Sequence, residues 1–131
     1  LGYRTSVIKK AGYIVLEAKI RLKEGDQEAI RERMKELTIQ RTTKQPLEYP
    51  SAGSTFKRPE GYFAGKLVMD SGLRGYQVGG ARISEKHCGF VINAGDATAK
   101  DVRTLMDNVR DIVYEKYGVT LEPEVKFLGE F

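Results

Sequence analysis

The stretch GFVINAGDATAKDVRTLMDNVRDIVYEKYG, residues 89–118, gives the clearest prediction of the fold. Its first residues, GFVIN, form a short apolar run that is typical of a strand. Thr98 and Asp101 then have the spacing of a capping box, so we expect a helix to begin there. Apolar residues recur behind this cap at helical spacing until Gly118, and they are Val102, Leu105, Met106, Val109, Ile112 and Val113.

The segments around this stretch predict further short elements. We expect a helix from about Tyr62 to Ser71, ended by Gly72. The segment GYQVGGARIS, residues 75–84, predicts a strand that a polar turn at residues 84–86 joins to GFVIN. The segment VTLEPEVKFL, residues 119–128, predicts a last strand with alternating apolar and charged residues.

The N-terminal third predicts a strand, a helix and a long loop. YIVLEAKIRL, residues 13–22, alternates apolar and polar residues as a half-buried strand does. Asp26 is the expected N-cap of a helix. Residues 41–59 are rich in Thr, Pro, Ser and Gly and show no periodicity, so we expect a long loop, which is usually functional or disordered. The order β-α-loop-α-β-β-α-β predicts an α+β domain.

Composition limits the classes of function. The chain has 131 residues and a formal net charge of +4, and the excess of cations lies in residues 1–60. Glutamates alternate with those cations, which is typical of solvated faces, so we expect no nucleic acid partner. No apolar run approaches the roughly 20 residues that span a bilayer, so we expect no membrane partner. The single cysteine, Cys88, excludes an internal disulfide and suits a reducing cytoplasm. The chain opens on Leu1 without a methionine, and we expect a fragment of a longer polypeptide.

The stretch SAGSTFKRP, residues 51–59, lacks the common phosphate and nucleophile motifs. Phe56 stands where a nucleophile elbow needs its last glycine after Ser54. Neither a Walker loop nor a dinucleotide fingerprint occurs in the chain. Taken alone the stretch is therefore most simply a turn. Lys44, Lys57 and Arg58 share its loop, and such cations suit a phosphorylated ligand.

His87 is the only histidine, and it does not predict a metal site. Its neighbour Cys88 is a poor second ligand because side chains alternate on a strand. A nucleophile that uses His87 as a base remains open, because it depends on distances that a sequence does not give. Arg4 and Glu124 are ordinary charged residues when taken alone, although Pro123 interrupts the strand pattern beside Glu124.

Six segments together carry a family resemblance, and they are GYRTSVIKK, RTTKQP, PSAGSTFKRP, GLRGYQVGGARIS, HCGFVINAGDATAKDV and LEPEVKFLG. They resemble the flavoenzyme family of UDP-N-acetylenolpyruvoylglucosamine reductases, known as MurB. The segments occur in the order of that family and extend over nearly the whole chain. PSAGSTFKRP and LEPEV at this separation are the most specific of them.

The resemblance implies a role for individual residues. The family reduces the enolpyruvyl double bond of a UDP-sugar to a lactyl ether, with FAD and NADPH, in cytoplasmic synthesis of the peptidoglycan precursor for the cell wall. Ser54 matches the serine that protonates the substrate, Arg4 the arginine that holds its carboxylate, and Glu124 the glutamate beside them. Substrate-binding positions of the family match Tyr3, Lys44, Arg58 and His87. One branch has asparagine at Arg58 and glutamine at His87, and the chain resembles the other, shorter branch.

The resemblance also implies an arrangement of domains. Residues 1–45 resemble the last strand and helix of the FAD-binding domain, and residues 46–131 resemble the substrate-binding domain. Most of the FAD-binding region is expected to be missing, so we expect no bound cofactor and no turnover from the chain alone. An isolated UDP-sugar-binding module without catalysis is the alternative function.

Overall fold

The structure is a computed structural model and describes residues 2–129. The chain divides into two compact units, Leu1–Met34 and Lys35–Phe131. The predicted boundary between residues 45 and 46 stays a prediction.

The first unit contains the short helix α1, Val7–Ala11, and the beginning of the helix α2, Gln27–Lys44. The strand predicted for residues 13–22 is wrong, because these residues form neither helix nor strand. Their apolar side chains are exposed, Ile14 by 85% and Leu16 by 93%. An alternating segment becomes a strand only when a neighbouring strand pairs its N–H and C=O groups, and no such pairing is seen for these residues.

The helix α2 begins as predicted and ends later than predicted. The Asp26 carboxylate accepts a hydrogen bond from the Ala29 N–H at 2.7 Å, as an N-cap does. The helix continues to Lys44, so the loop predicted from residue 41 is wrong in its first residues. The Thr42 hydroxyl donates to the Thr38 carbonyl at 3.1 Å. This bond back to the preceding turn lets a threonine with loop preference remain in the helix.

The second unit contains a four-stranded antiparallel sheet in the order β1-β4-β3-β2. Its strands are β1 (Ser51–Ser54), β2 (Gln77–Val78), β3 (Ala81–Ile83) and β4 (Phe90–Asn93). Residues 51–54, predicted as loop, are therefore an edge strand, and GYQVGGARIS is a hairpin rather than one strand. The hairpin turns at Gly79 and Gly80, where φ at Gly79 is +53°.

Two helices complete the unit, α3 (Ala64–Asp70) and α4 (Ala99–Tyr117). The predicted capping box is confirmed: the Asp101 N–H donates to Thr98 Oγ1 at 3.1 Å, and the Thr98 N–H donates to Asp101 Oδ2 at 2.9 Å. Gly118 ends α4 in the left-handed conformation with φ of +66°, also as predicted. The apolar stripe of α4 packs on the sheet, with Leu105, Val109 and Val113 fully buried.

The C-terminal segment is not the strand that its alternation predicts. Its one described pairing is an isolated bridge between Pro123 and Phe56. Proline has no N–H to donate, so a regular ladder cannot continue through Pro123. Leu121 is nevertheless fully buried in the core, and Val125 packs against the core. The mixture of helices with an antiparallel sheet confirms the predicted α+β class.

Candidate active site

Ser54 is the last residue of β1, and its side chain is exposed. It is paired with Phe90 of β4. The register of β1 against β4 shifts between Ser51 and Ser54, which is the mark of a bulge. Gly53 lies in this irregular part with φ of +85°, a conformation that glycine adopts without strain. The bulge therefore sets the position of Ser54 at the edge of the sheet.

Glu124 is held beside the end of β1 by its main chain. Its N–H donates to the Thr55 carbonyl at 2.9 Å, and the Lys57 N–H donates to the Glu122 carbonyl at 2.8 Å. The Lys57 ammonium also forms an ion pair with the Glu122 carboxylate. Ser54 precedes Thr55 in sequence, and Glu124 is hydrogen-bonded to the Thr55 carbonyl, so both main chains adjoin one residue. That their side chains share a catalytic site stays a prediction.

His87 contacts Phe90, the residue of β4 that pairs with Ser54. The two rings are in edge contact, with centroids 5.0 Å apart. His87 Nδ1 accepts a hydrogen bond from the Gly89 N–H at 3.0 Å, so the neutral ring has its proton on Nε2. The imidazole is exposed. His87 and Ser54 therefore both neighbour Phe90, and an Nε2–H donor is available to a ligand at this edge.

Cations lie close in sequence to Ser54. The Arg58 guanidinium is 3.9 Å from the centroid of the Phe63 ring, and its Nε donates to the Tyr62 carbonyl at 3.3 Å. This is a cation–π contact of an exposed side chain. Lys44 is exposed at the last turn of α2. That Arg58 and Lys44 bind the substrate stays a prediction.

Arg4 and Tyr3 belong to the first unit. Arg4 has a φ of +55°, and its guanidinium is 5.5 Å from the centroid of the Tyr3 ring. Both side chains are exposed. That Arg4 and Tyr3 meet the substrate near Ser54 stays a prediction.

Cys88 is a buried structural residue. Burial raises the pKa of its thiol, while the nearby charge of Arg74 acts in the opposite direction. A raised pKa keeps the sulfur protonated near neutral pH, and the thiolate is the reactive form. Burial and a raised thiol pKa therefore do not favour Cys88 as the nucleophile that His87 would activate.

A cavity of about 360 Å³ opens between β1, β4 and α4. Its lining is mostly apolar and includes Thr55, Val91, Val102 and Val125. None of the predicted site residues lines it. In the described residues no cluster of three His, Cys, Asp or Glu side chains is arranged to bind a metal ion. Residues 2–129 also contain no helix with the length and hydropathy to span a bilayer.

Comparison with known proteins identifies the family. Residues 45–128 match the family described as UDP-N-acetylenolpyruvoylglucosamine reductase, C-terminal domain. The chain belongs to this family. The MurB resemblance of the sequence motifs is therefore confirmed.

Curated relatives of the chain are named as the same reductase. The protein from Lachnoclostridium phytofermentans is 68% identical over 130 residues, which are 99% of this chain and 42% of the relative. That from Agathobacter rectalis is 61% identical over 131 residues, 100% of this chain and 42% of the relative. The chain thus spans less than half the length of these MurB relatives.

A solved MurB structure supports the fold. The crystal structure of UDP-N-acetylenolpyruvylglucosamine reductase (MurB) from Thermus caldophilus matches with a TM-score of 0.63 at 40% identity. The match covers 79% of this chain and 37% of that one.

Two residues next to Ser54, Thr55 and Phe90, have positions that were not predicted from the sequence. Thr55 is buried and polar, and it lies in a stretch whose composition indicates loop. Phe90 was predicted only as part of an apolar strand, whereas it lies between Ser54 and His87. The only local signal in the sequence is a polar β-branched residue two positions after a glycine. This combination is too common to identify Thr55 as important.

Proposed function

We propose that this chain is the substrate-binding part of a UDP-N-acetylenolpyruvoylglucosamine reductase. The full-length enzyme would reduce the enolpyruvyl group of UDP-N-acetylglucosamine-enolpyruvate to UDP-N-acetylmuramate in the cytoplasm, for the peptidoglycan that determines cell shape and allows division. The observation that supports this best is the main-chain connection of Ser54 and Glu124 through Thr55, in a chain of this family. The Glu124 main chain, from a segment 70 residues away in sequence, is hydrogen-bonded there to the residue that follows Ser54.

FAD and NADPH are the cofactors that the family resemblance implies for the full-length enzyme, where they supply a hydride. The cavity beside β1 does not fit FAD, because its lining has no cation to meet a diphosphate. We therefore assign the hydride step to no residue of this chain. The residues described here act on the proton and on the charge of the substrate.

Reduction of the double bond also requires a proton at the carbon that bears the carboxylate. Negative charge develops on that carbon and its carboxylate, so donors fixed at that place lower the barrier. We assign the proton to the Ser54 hydroxyl, which is exposed at the end of an ordered strand. Arg4 would offer a planar fork for the carboxylate, and Glu124, whose main chain bonds to Thr55, would interact with the same proton.

The remaining predicted residues would bind the rest of the substrate. Arg58 and Lys44 are exposed cations of the second unit and suit the diphosphate of the UDP group. His87 presents its Nε2–H at the edge that Ser54 shares. Tyr3 is the predicted contact from the first unit.

The decisive experiment separates the two half-reactions of the full-length enzyme. Ser54→Ala should leave flavin reduction by NADPH unchanged, and it should slow flavin reoxidation by substrate by a factor of about 100 or more, which is the range of a lost proton donor. Stopped-flow absorbance of the flavin measures both rates. Ser51→Ala, at the other end of β1, is the matched control.

Equal loss of both half-reactions in Ser54→Ala would contradict the assigned role, because it would indicate damage to the fold. Full reoxidation in Ser54→Ala would also contradict it. The alternative, a UDP-sugar-binding module without catalysis, predicts binding of UDP-N-acetylglucosamine with no flavin reoxidation in any variant.

A further inference from the structure

Thr55 joins the two segments that hold the proposed proton donor and its glutamate. Its side chain is only 4% exposed. Its N–H donates to the Gly89 carbonyl at 2.9 Å, and its carbonyl accepts the Glu124 N–H at 2.9 Å. Its hydroxyl oxygen accepts the Val91 N–H at 2.9 Å. Three hydrogen bonds from one residue thus connect β1 to β4 and to the C-terminal segment.

The bulge in β1 explains why the hydroxyl is needed. Between Ser54 and Ser51 the chain of β1 advances three residues, while its partner advances two, from Phe90 to Ile92. An extra residue on one strand displaces the main-chain carbonyls that would face the partner. The buried Val91 N–H donates instead to the Thr55 hydroxyl. A buried N–H without an acceptor is costly, so the hydroxyl fixes the bulge in this geometry.

We propose that Thr55 is a positioning residue of the reductase, and this rests on the function proposed above. The Thr55 hydroxyl holds the bulge that places Ser54, and its carbonyl holds Glu124 in register with Ser54. The side chain itself is buried in the core. Its effect on the reaction comes from the relative position of Ser54 and Glu124.

A substitution at Thr55 should slow flavin reoxidation by substrate more than its loss of stability alone would. Thr55→Val keeps the shape and both main-chain bonds but removes the acceptor of the Val91 N–H. We expect substrate-dependent flavin reoxidation to slow by about 10- to 100-fold, because a small displacement of reacting groups slows a reaction by about this factor. Flavin reduction by NADPH should not change. Thr55→Ser retains the hydroxyl and should restore most of the reoxidation rate.

The control is a core variant with a comparable loss of stability. Ile83→Val shortens a fully buried side chain of β3. Thermal melting shows whether Thr55→Val and Ile83→Val lose comparable stability. Stopped-flow absorbance then compares their two half-reactions in the full-length enzyme. Selective loss of reoxidation in Thr55→Val, absent in Ile83→Val, supports the proposal. Equal loss in the two variants, or unchanged reoxidation in Thr55→Val, overturns it.

Three further outcomes are informative. If Thr55→Val does not fold, Thr55→Ser decides alone: a retained reoxidation rate supports the role of the hydroxyl, and a rate as low as that of Ser54→Ala overturns it. If Ser54→Ala reoxidises normally, the proposed function fails and this inference fails with it. If Ser54→Ala is slow while Thr55→Val is not, only this inference fails.

Discussion

At the scale of single residues, Asp101 connects helix capping to pH. The Thr98 N–H and the Thr98 hydroxyl interact with its carboxylate, and they hold the pKa of Asp101 below its ordinary value of 3.8. A lowered pKa in the folded state means that the unfolded chain binds the proton more readily. The stabilisation from Asp101 is therefore fully present above pH 3.8, and it is lost as the pH falls through the lower, folded value.

We expect Asp101→Asn to reduce the dependence of stability on pH below about pH 4, because asparagine does not titrate. Urea unfolding between pH 5 and pH 2 measures this dependence. Asp111→Asn, an exposed carboxylate of the same helix, is the control. The difference in pH dependence between the parent and Asp101→Asn should shrink in high salt, since the Asp101 carboxylate is close to solvent. Parallel pH profiles for the parent and Asp101→Asn would contradict the prediction.

The site residues differ in how well the sequence alone predicts them. Residues in short motifs, such as Ser54 in SAGSTFKRP and Glu124 in LEPEV, are found because the motif stays contiguous in sequence. Thr55 is not found, because its importance arises from hydrogen bonds to residues 34 or more positions away, Gly89 among them. Local composition contains no information about such long-range partners.

At the scale of elements, the hairpin β2–β3 depends on one close main-chain approach. A Cβ atom at Gly80 would lie 2.0 Å from the Gly95 carbonyl oxygen and 2.5 Å from the Ala97 nitrogen. Both neighbours are main chain, so neither can move aside without moving the loop before α4. Gly61 is different, because its φ of +75° favours glycine but a Cβ there meets nothing within 4 Å.

We expect Gly80→Ala to lower the free energy of unfolding by about 1–3 kcal/mol or more, as forced overpacking does. Gly61→Ala should cost about 1–2 kcal/mol, from backbone conformation alone. Urea denaturation compares both variants with the parent. Amide shifts of residues 93–98 should change in Gly80→Ala and remain in place in Gly61→Ala. An undisturbed 93–98 loop in Gly80→Ala would refute the close-approach explanation.

Elements with their own end signals are the ones whose bounds the sequence predicts most accurately. The helix α4 has a capping box, an apolar stripe and a glycine stop, and all three are confirmed. Strands lack such signals, because an alternating pattern describes only which face would be buried. Residues 13–22 alternate well but have no pairing in the structure, and residues 119–128 alternate but contain Pro123.

At the scale of the whole molecule, the hydrophobic core lies within one of the two units. Its buried members extend from Phe56 to Leu121, all inside the unit Lys35–Phe131. The family match over residues 45–128 lies inside the same unit. A segment with its own core can fold as an independent domain. The second unit should therefore keep its fold without residues 1–34.

We expect a shortened protein of residues 35–131 to unfold cooperatively, with nearly the same urea midpoint as the whole chain. The reason is that every side chain of the core cluster is retained. Amide spectra of the two proteins should superimpose for residues 50–125. Leu105→Ala in the shortened protein is the control, and it should lose about 2–5 kcal/mol because it empties a fully buried site.

The same shortened protein tests which unit binds the sugar nucleotide. It retains Lys44, Arg58 and His87 but lacks Tyr3 and Arg4. If the diphosphate is held by the second unit, UDP-N-acetylglucosamine should shift amides near residues 44, 58 and 87 in both proteins with similar affinity, and the affinity should fall with salt because the contacts are ionic. Lys100→Ala, an exposed cation in the first turn of α4, should leave the titration unchanged, whereas Arg58→Ala should weaken it. Shifts that occur only when residues 1–34 are present would instead assign binding of the nucleotide to the first unit.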